Sequence, residues 1–262
     1  MSITLMSFTF KISISNYFVF QKIRKSPTKN NRKKINPHEI LLKAIHSERD
    51  RRFLESQHYY CKGIELLRDF VNNTRNTRTV KRYYEHILQY IERSKSVYAQ
   101  VEKLLKTGEF LKSTQIQEDS QGHSYETLIG EYFEADVHEI YLEEPYLQRP
   151  YQVENLVIFL EMAVKKCPRL KFVKLLTNRV GNDANLRDIQ GSLRLRGIEF
   201  IVERDPRQHD RKVALSTGIV KKIGRGLHIF KAANSTYSLG ICDYDFRRCL
   251  KTDVDVWRSG RK

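Results

Sequence analysis

Between residues 37 and 106 the apolar positions step by three and four, and over much of the chain beyond residue 122 they alternate by two or form short solid runs. The first helical run extends from Pro37 to about Phe53, with Asn36 placed to cap it and Pro37 as its first residue. The second, from about Ser56 to Val71, gathers Tyr59, Tyr60, Gly63, Ile64, Leu67 and Phe70 on one side. NNTRNTRT then reads as a turn. In the third run Val80, Tyr83, Ile87, Ile91, Ser94, Val97, Val101 and Leu104 continue the same stepping to about Leu105. A stripe that long must be covered, and the two shorter helices supply the surface. Residues 37–106 therefore predict a three-helix antiparallel bundle.

Residues 107–122 (TGEFLKSTQIQEDSQG) are polar and punctuated by glycine, which predicts a linker. Beyond them VHEIYL (137–142) alternates like a strand and residues 151–166 form an amphipathic helix. LKFVKLL (170–176) reads as a strand, 183–196 as a helix and IEFIV (198–202) as a buried strand. RKVAL and GIVKKIG flank Ser216-Thr217-Gly218 as a hairpin. Strands and helices in alternation predict an α/β domain over residues 123–262.

Charge refines this division. The chain of 262 residues carries a net charge of +16, and residues 1–36 hold eight Lys/Arg and no acid. Half the excess thus sits in a short leader. Its apolar part is broken by Lys11 and by many Ser, Thr and Asn, so it predicts a disordered basic extension able to touch lipid headgroups. The folded parts are mildly basic, and they lack the interleaved aromatic and basic residues of single-strand platforms; no nucleic-acid partner is expected. The four cysteines have no metal-ligand spacing, so they read as free thiols in a reducing compartment, with no metal and no cofactor expected.

Two resemblances give these segments a function. Tyr90-Ile91-Glu92-Arg93-Ser94-Lys95-Ser96-Val97, together with Phe53-x-x-Ser56-x-x-x-Tyr60-x-x-Gly63-Ile64, resembles the third and second helices of MIT domains. The resemblance implies a groove that takes the amphipathic C-terminal tails of ESCRT-III subunits by helix-in-groove recognition. It places Tyr60, Ile91, Glu92, Ser94 and Lys95 at that groove, with Ile91 as apolar floor, Ser94 as the small residue of close approach and Glu92 as acidic partner. Lys95 stands where many members carry Glu, so a basic ligand side chain would meet a like charge there.

The second half resembles the phospholipase D-like domains that follow MIT domains. Gly122-His-Ser-Tyr-Glu-Thr-Leu, Glu144-Pro145-Tyr146, His209-Asp210-Arg211, Lys222-Ile223-Gly224-Arg225-Gly226-Leu227 and Ser238-Leu239-Gly240-x-Cys242-Asp243 carry the likeness. The active motif of that fold is HxKx4D followed by GSxN. Here His209 is kept, Arg211 replaces the Lys, Ser216 replaces the Asp, and Gly224–Leu227 stand in place of GSxN. Ser216 cannot orient a nucleophilic histidine as a carboxylate does, whereas Arg211 can still bind phosphate through its fork. The resemblance therefore implies a domain that binds acidic phospholipid without turnover, with His209, Arg211, Lys222 and Arg225 as lipid contacts and Lys171, Lys174, Lys212 and Lys221 at the edges. It also implies homodimerisation through this domain and a cytoplasmic adaptor, peripheral on endosomal membrane and at the midbody in cytokinetic abscission. A phosphodiesterase using His209 is the alternative.

Overall fold

A computed structural model describes residues 36–74, 76–106 and 108–259. The expected leader lies outside the described residues except for Asn36, whose side chain accepts the His38 N–H and caps the first helix. Three helices come next: α1 (Pro37–Arg49), α2 (Phe53–Asn72) and α3 (Thr77–Leu105). Their connections are so short that neighbours must run antiparallel. Leu41, Ala44, Tyr60, Leu67, Ile87 and Val97 form the bundle core. A Cβ at Gly63 would lie 2.6 Å from the Leu41 side chain, so glycine there lets α1 and α2 approach closely.

The rest of the chain contains, in order, β1 (Glu109–Ile116), α4 (Tyr125–Ile129), β2 (Glu139–Glu143), β3 (Tyr146–Leu147), α5 (Pro150–Lys166), β4 (Phe172–Thr177), β5 (Arg179–Val180), α6 (Asp183–Arg194), β6 (Glu199–Arg204), β7 (Lys212–Leu215), β8 (Ile219–Ile223) and β9 (Thr252–Arg258). Seven of the strands make one sheet, ordered β1-β9-β8-β7-β2-β4-β6. β2, β4 and β6 are parallel, with α5 and α6 as their crossovers, and β7–β8 is the expected hairpin.

Residues 109–116 correct the linker expectation, since they form the edge strand β1, antiparallel to β9. The polar run EFLKSTQI gave no alternation because only Ile116 at its end is buried. Backbone pairing holds the strand, helped by the cross-strand bonds Ser113–Asp255 and Gln115–Asp253.

The sheet is covered on both faces. Ile140, Leu142, Val173, Leu175 and Phe200 point into the core beneath α4–α6. Their neighbours on the same strands, Tyr141, Phe172 and Ile201, join Ala214 and Val220 on the opposite face. There they meet Phe53 and Leu54 of α2 and Val101, Leu104 and Leu105 of α3. The bundle is thus the sheet's second helical layer. Among the described residues no helix is long and apolar enough to cross a membrane.

Candidate functional site

His209 and Arg211 precede β7 and meet on one aromatic ring. The Arg211 guanidinium lies 5.6 Å from the ring centroid of Tyr146, and His209 Nδ1 is 3.0 Å from the Tyr146 hydroxyl. Arg211 Nε is buried without a hydrogen-bond partner. Beside it Glu144 is wholly buried, and its Oε2 accepts the Leu227 N–H at 2.8 Å. Gly226 has φ +62°, and a Cβ there would fall 2.1 Å from Glu144 Oε2 and 2.9 Å from Arg211 Cδ. Only glycine allows this turn, so Gly224–Leu227 wrap a buried carboxylate rather than present a phosphate cradle.

Sequence reasoning missed three groups behind this site. The Leu227 carbonyl accepts from the Tyr125 hydroxyl at 2.5 Å and from Asn155 Nδ2 at 3.1 Å. His228 Nε2 lies 3.0 Å from the Tyr146 carbonyl and 3.2 Å from Glu144 Oε1. It is aimed at the carbonyl, which leaves Oε1 without a hydrogen bond. With Asn155 Nδ2 3.4 Å from its Nδ1, both nitrogens of His228 face protein. It packs the site and is not poised to attack a ligand. The Glu144-Pro145-Tyr146 motif was the available signal, since it carries both the buried acid and the shared ring.

Ser216 is equally occupied. Its Oγ accepts the N–H groups of His138 at 3.0 Å and Glu139 at 3.2 Å, tying the β7–β8 turn to the start of β2. A phenol is the partner of His209 Nδ1 where an attacking imidazole would need a carboxylate to stabilise its positive charge. The arrangement can hold an anion more readily than it can transfer phosphorus.

Arg211 and Lys222 come together where a cleft of about 320 Å³ opens between the end of α3 and the β7–β8 hairpin. Leu105 and Lys106 form one wall, and Glu143, Asp210, Arg211, Lys212 and Lys222 form the other. Lys212 is bonded to Glu143 at 2.8 Å, and Lys222 Nζ rests 5.4 Å over Trp257. His209 sits beside the cleft on Tyr146 without lining it.

The other expected contacts lie elsewhere. Arg225 is exposed, its Nε donates to the Lys251 carbonyl, and it does not line the cleft. Lys221 is fully buried on the opposite face, where its Nζ donates to the Ile129 carbonyl and stands 3.7 Å over Tyr132. Burial pulls its pKa down to about 7. Lys174 is buried against the bundle and paired with Glu203 at 2.9 Å. Neither lysine can form an edge of a lipid surface; each falls on the strand position that the sheet turns inward.

Of the expected groove residues, Tyr60 is core. It is fully buried, and its hydroxyl donates to Glu48 Oε2 at 2.6 Å. The helical stepping that marked it as a groove wall is also the signature of packing. Ile91 and Ser94 are half-buried on α3, while Glu92 and Lys95 are exposed and bonded to each other at 2.6 Å. Tyr84 (50%) and Leu88 (61%) extend the exposed apolar line of the same helix.

Residues 122–258 match the model of the family described as "Phospholipase D-like domain at C-terminus of MIT". MIT domain-containing protein 1 of Mus musculus is 29% identical over 226 residues, which is 84% of this chain and 91% of that protein. Among solved structures, Nuc, a phospholipase D family member from Salmonella typhimurium, aligns over 56% of this chain and 84% of its own, at 14% identity and a TM-score of 0.31. The polyphosphate kinase of Porphyromonas gingivalis aligns over 57% of this chain and 23% of its own, at 14% identity and a TM-score of 0.34.

Proposed function

For a chain that belongs to the family with a phospholipase D-like domain at the C-terminus of MIT, we propose a non-enzymatic adaptor that joins ESCRT-III tails to acidic membrane. In this reading the bundle takes the tail along the exposed line of α3, with Ile91 and Ser94 as its floor and Glu92 and Lys95 at its rim. The phospholipase D-like domain takes the lipid phosphate at Arg211 and Lys222. The setting is cytokinetic abscission at the midbody, with the protein peripheral on endosomal membrane and paired with a second copy through the same domain.

The observation that carries the lipid half is the juxtaposition of Arg211 and Lys222 in one cleft, beside a histidine whose partner is the Tyr146 phenol. Guanidinium and ammonium groups suit phosphate, while the supports of a nucleophile are replaced by Tyr146 and Ser216. Vesicle flotation tests both halves together. A fluorescent ESCRT-III tail peptide should float with phosphoinositide-containing vesicles only when the protein is present. Ile91→Asp should leave the protein on the vesicles and the peptide behind; Arg211→Glu with Lys222→Glu should leave both behind. Flotation unchanged by these substitutions would remove the adaptor assignment. Hydrolysis of a phosphodiester that is lost in His209→Ala would replace it with the phosphodiesterase reading.

A further inference from the structure

The cleft beside Arg211 is built from two parts of the chain that touch across the sheet face. Lys106 comes from the end of the bundle; Arg211, Lys212 and Lys222 come from the β7–β8 hairpin. Against these four cations stand two carboxylates, Glu143 and Asp210, and Glu143 is already bonded to Lys212. The carbonyls ending α3 add partial negative charge, but less than one unit. The balance favours an anion of about two charges, and Arg211 Nε supplies a buried donor without a partner.

Lys106 follows the last turn of α3 and precedes β1 by three residues, so the docked bundle and the sheet edge together hold it here. Leu104 and Leu105 pack with Ala214 and Val220. At the other end of the contact, the Glu139 carboxylate accepts the N–H groups of Leu54 (3.3 Å) and Glu55 (2.9 Å), the first turn of α2. If that dock opens, Leu105 leaves the sheet and Lys106, tethered to β1, loses the helix end that fixes it over the hairpin, so the cleft loses a wall.

We propose that the cleft binds a phosphomonoester group and is complete only while the bundle is docked, so that phosphate and docking stabilise each other. This rests on the reading of Arg211 and Lys222 as an anion site and adds its regulation. The ligand chemistry is shared by a lipid headgroup and a soluble phosphate. Whatever loosens the bundle from the sheet then weakens phosphate binding, and the reverse holds by linkage.

The test uses the full chain with two probes: glycerol 3-phosphate, and vesicles of phosphatidylcholine containing phosphatidic acid. Affinity is measured alongside hydrogen exchange at the Leu54 and Glu55 amides, which report the dock. Each probe that binds should slow exchange at these amides about fivefold or more. Binding of the soluble ester identifies a free phosphate as sufficient; binding of vesicles alone identifies the headgroup in its membrane. Lys106→Ala, an exposed position that should not disturb folding, should weaken the binding probe by about fivefold or more and reduce the slowing with it. Full affinity and full slowing in Lys106→Ala, with binding still lost in Arg211→Glu, would overturn the coupling and leave the anion site standing. No binding of either probe to the unaltered chain would overturn both.

Discussion

Toward α4–α6 the sheet presents Ile140, Leu142, Val173, Leu175 and Phe200, whereas beneath the bundle the same strands carry Glu139, Glu143, Lys174 and Glu199 at the margins of Tyr141 and Phe172. The first face is apolar throughout, and Lys221 is its one buried cation among the described residues. The second is apolar in the middle and charged at both ends. Glu139 lies under the start of α2, so an acid meets a helix N-terminus, and by the end of α3 Arg211, Lys212 and Lys222 outnumber Glu143 and Asp210, so the excess at the C-terminus is cationic. The difference separates a core from an interface. Ionisable groups buried for good are destabilising, but a surface that also exists apart from its partner needs them solvated when it is open.

The largest expected effect tests whether that separation is real. Phe159 of α5 is fully buried and meets Tyr125 and Phe133 edge-on, at ring centroid distances of 5.9 and 5.7 Å. Phe159→Ala should lower stability by about 3–5 kcal/mol, read from urea unfolding by the fluorescence of Trp257 on β9. Leu54→Ala, on the bundle side, should lower it by about 2 kcal/mol, at the bottom of the usual range, because a rigid bundle can shift to close the gap. Equal losses would mean that the sheet and both layers form one indivisible core.

The wholly apolar face was legible in the sequence and the charged margins of the other were not. Period-two alternation marked β2, short apolar runs marked β4 and β6, and helical stepping marked α2, α3, α5 and α6 to within a few residues. β1 escaped because this edge strand buries only Ile116 and needs no apolar pattern. The sequence pointed to Arg211 and Lys222, which do line one cleft, but not to the positive φ of Gly226. It was illegible where the same pattern serves packing and binding, as at Tyr60, Lys174 and Lys221. Alternation states which residues share a face; it does not state what covers that face.

A pH series sharpens the contrast at intermediate cost. Burial raises the pKa of Glu139 to about 8, only partly offset by the two α2 N–H groups, and burial also raises Glu55. A carboxyl whose folded pKa is raised stabilises the docked state fully below its unfolded pKa. That contribution fades as pH rises toward about 8. His58 has the opposite sign. Its ring packs 6.2 Å from Phe172, and burial lowers its pKa despite Glu199 nearby, so its contribution is lost as pH falls below the ordinary histidine range. Arg52, Lys174 and Glu203 also act on these groups and set the midpoints. Protection of the Leu54 amide should therefore peak between the two ranges. Glu139→Gln should flatten the alkaline side by up to one proton and leave the acid side in place. An unchanged alkaline slope would show that Glu139 is not the group that feels the dock.

The smallest effect on stability comes from a charge pair that lies outside the contact between bundle and sheet. Lys95 and Glu92 are bonded at 2.6 Å but remain 52% and 71% exposed, so water screens the pair that the sheet would have to desolvate at Glu139. Lys95→Glu should change stability by no more than about 0.5 kcal/mol, although it sets two acids three residues apart on α3. Its effect on recognition should be larger. As the chain stands, the two charges cancel and the rim of the α3 line offers a basic tail no net attraction. Two carboxylates there would draw a basic peptide in, chiefly through faster association, and added salt would erase the gain. Affinity for a basic ESCRT-III tail should thus rise severalfold at low salt and return to the original value at high salt. A rise that persists at high salt would mean that Lys95 obstructs the peptide sterically, and no rise at all would place the peptide away from this face of α3.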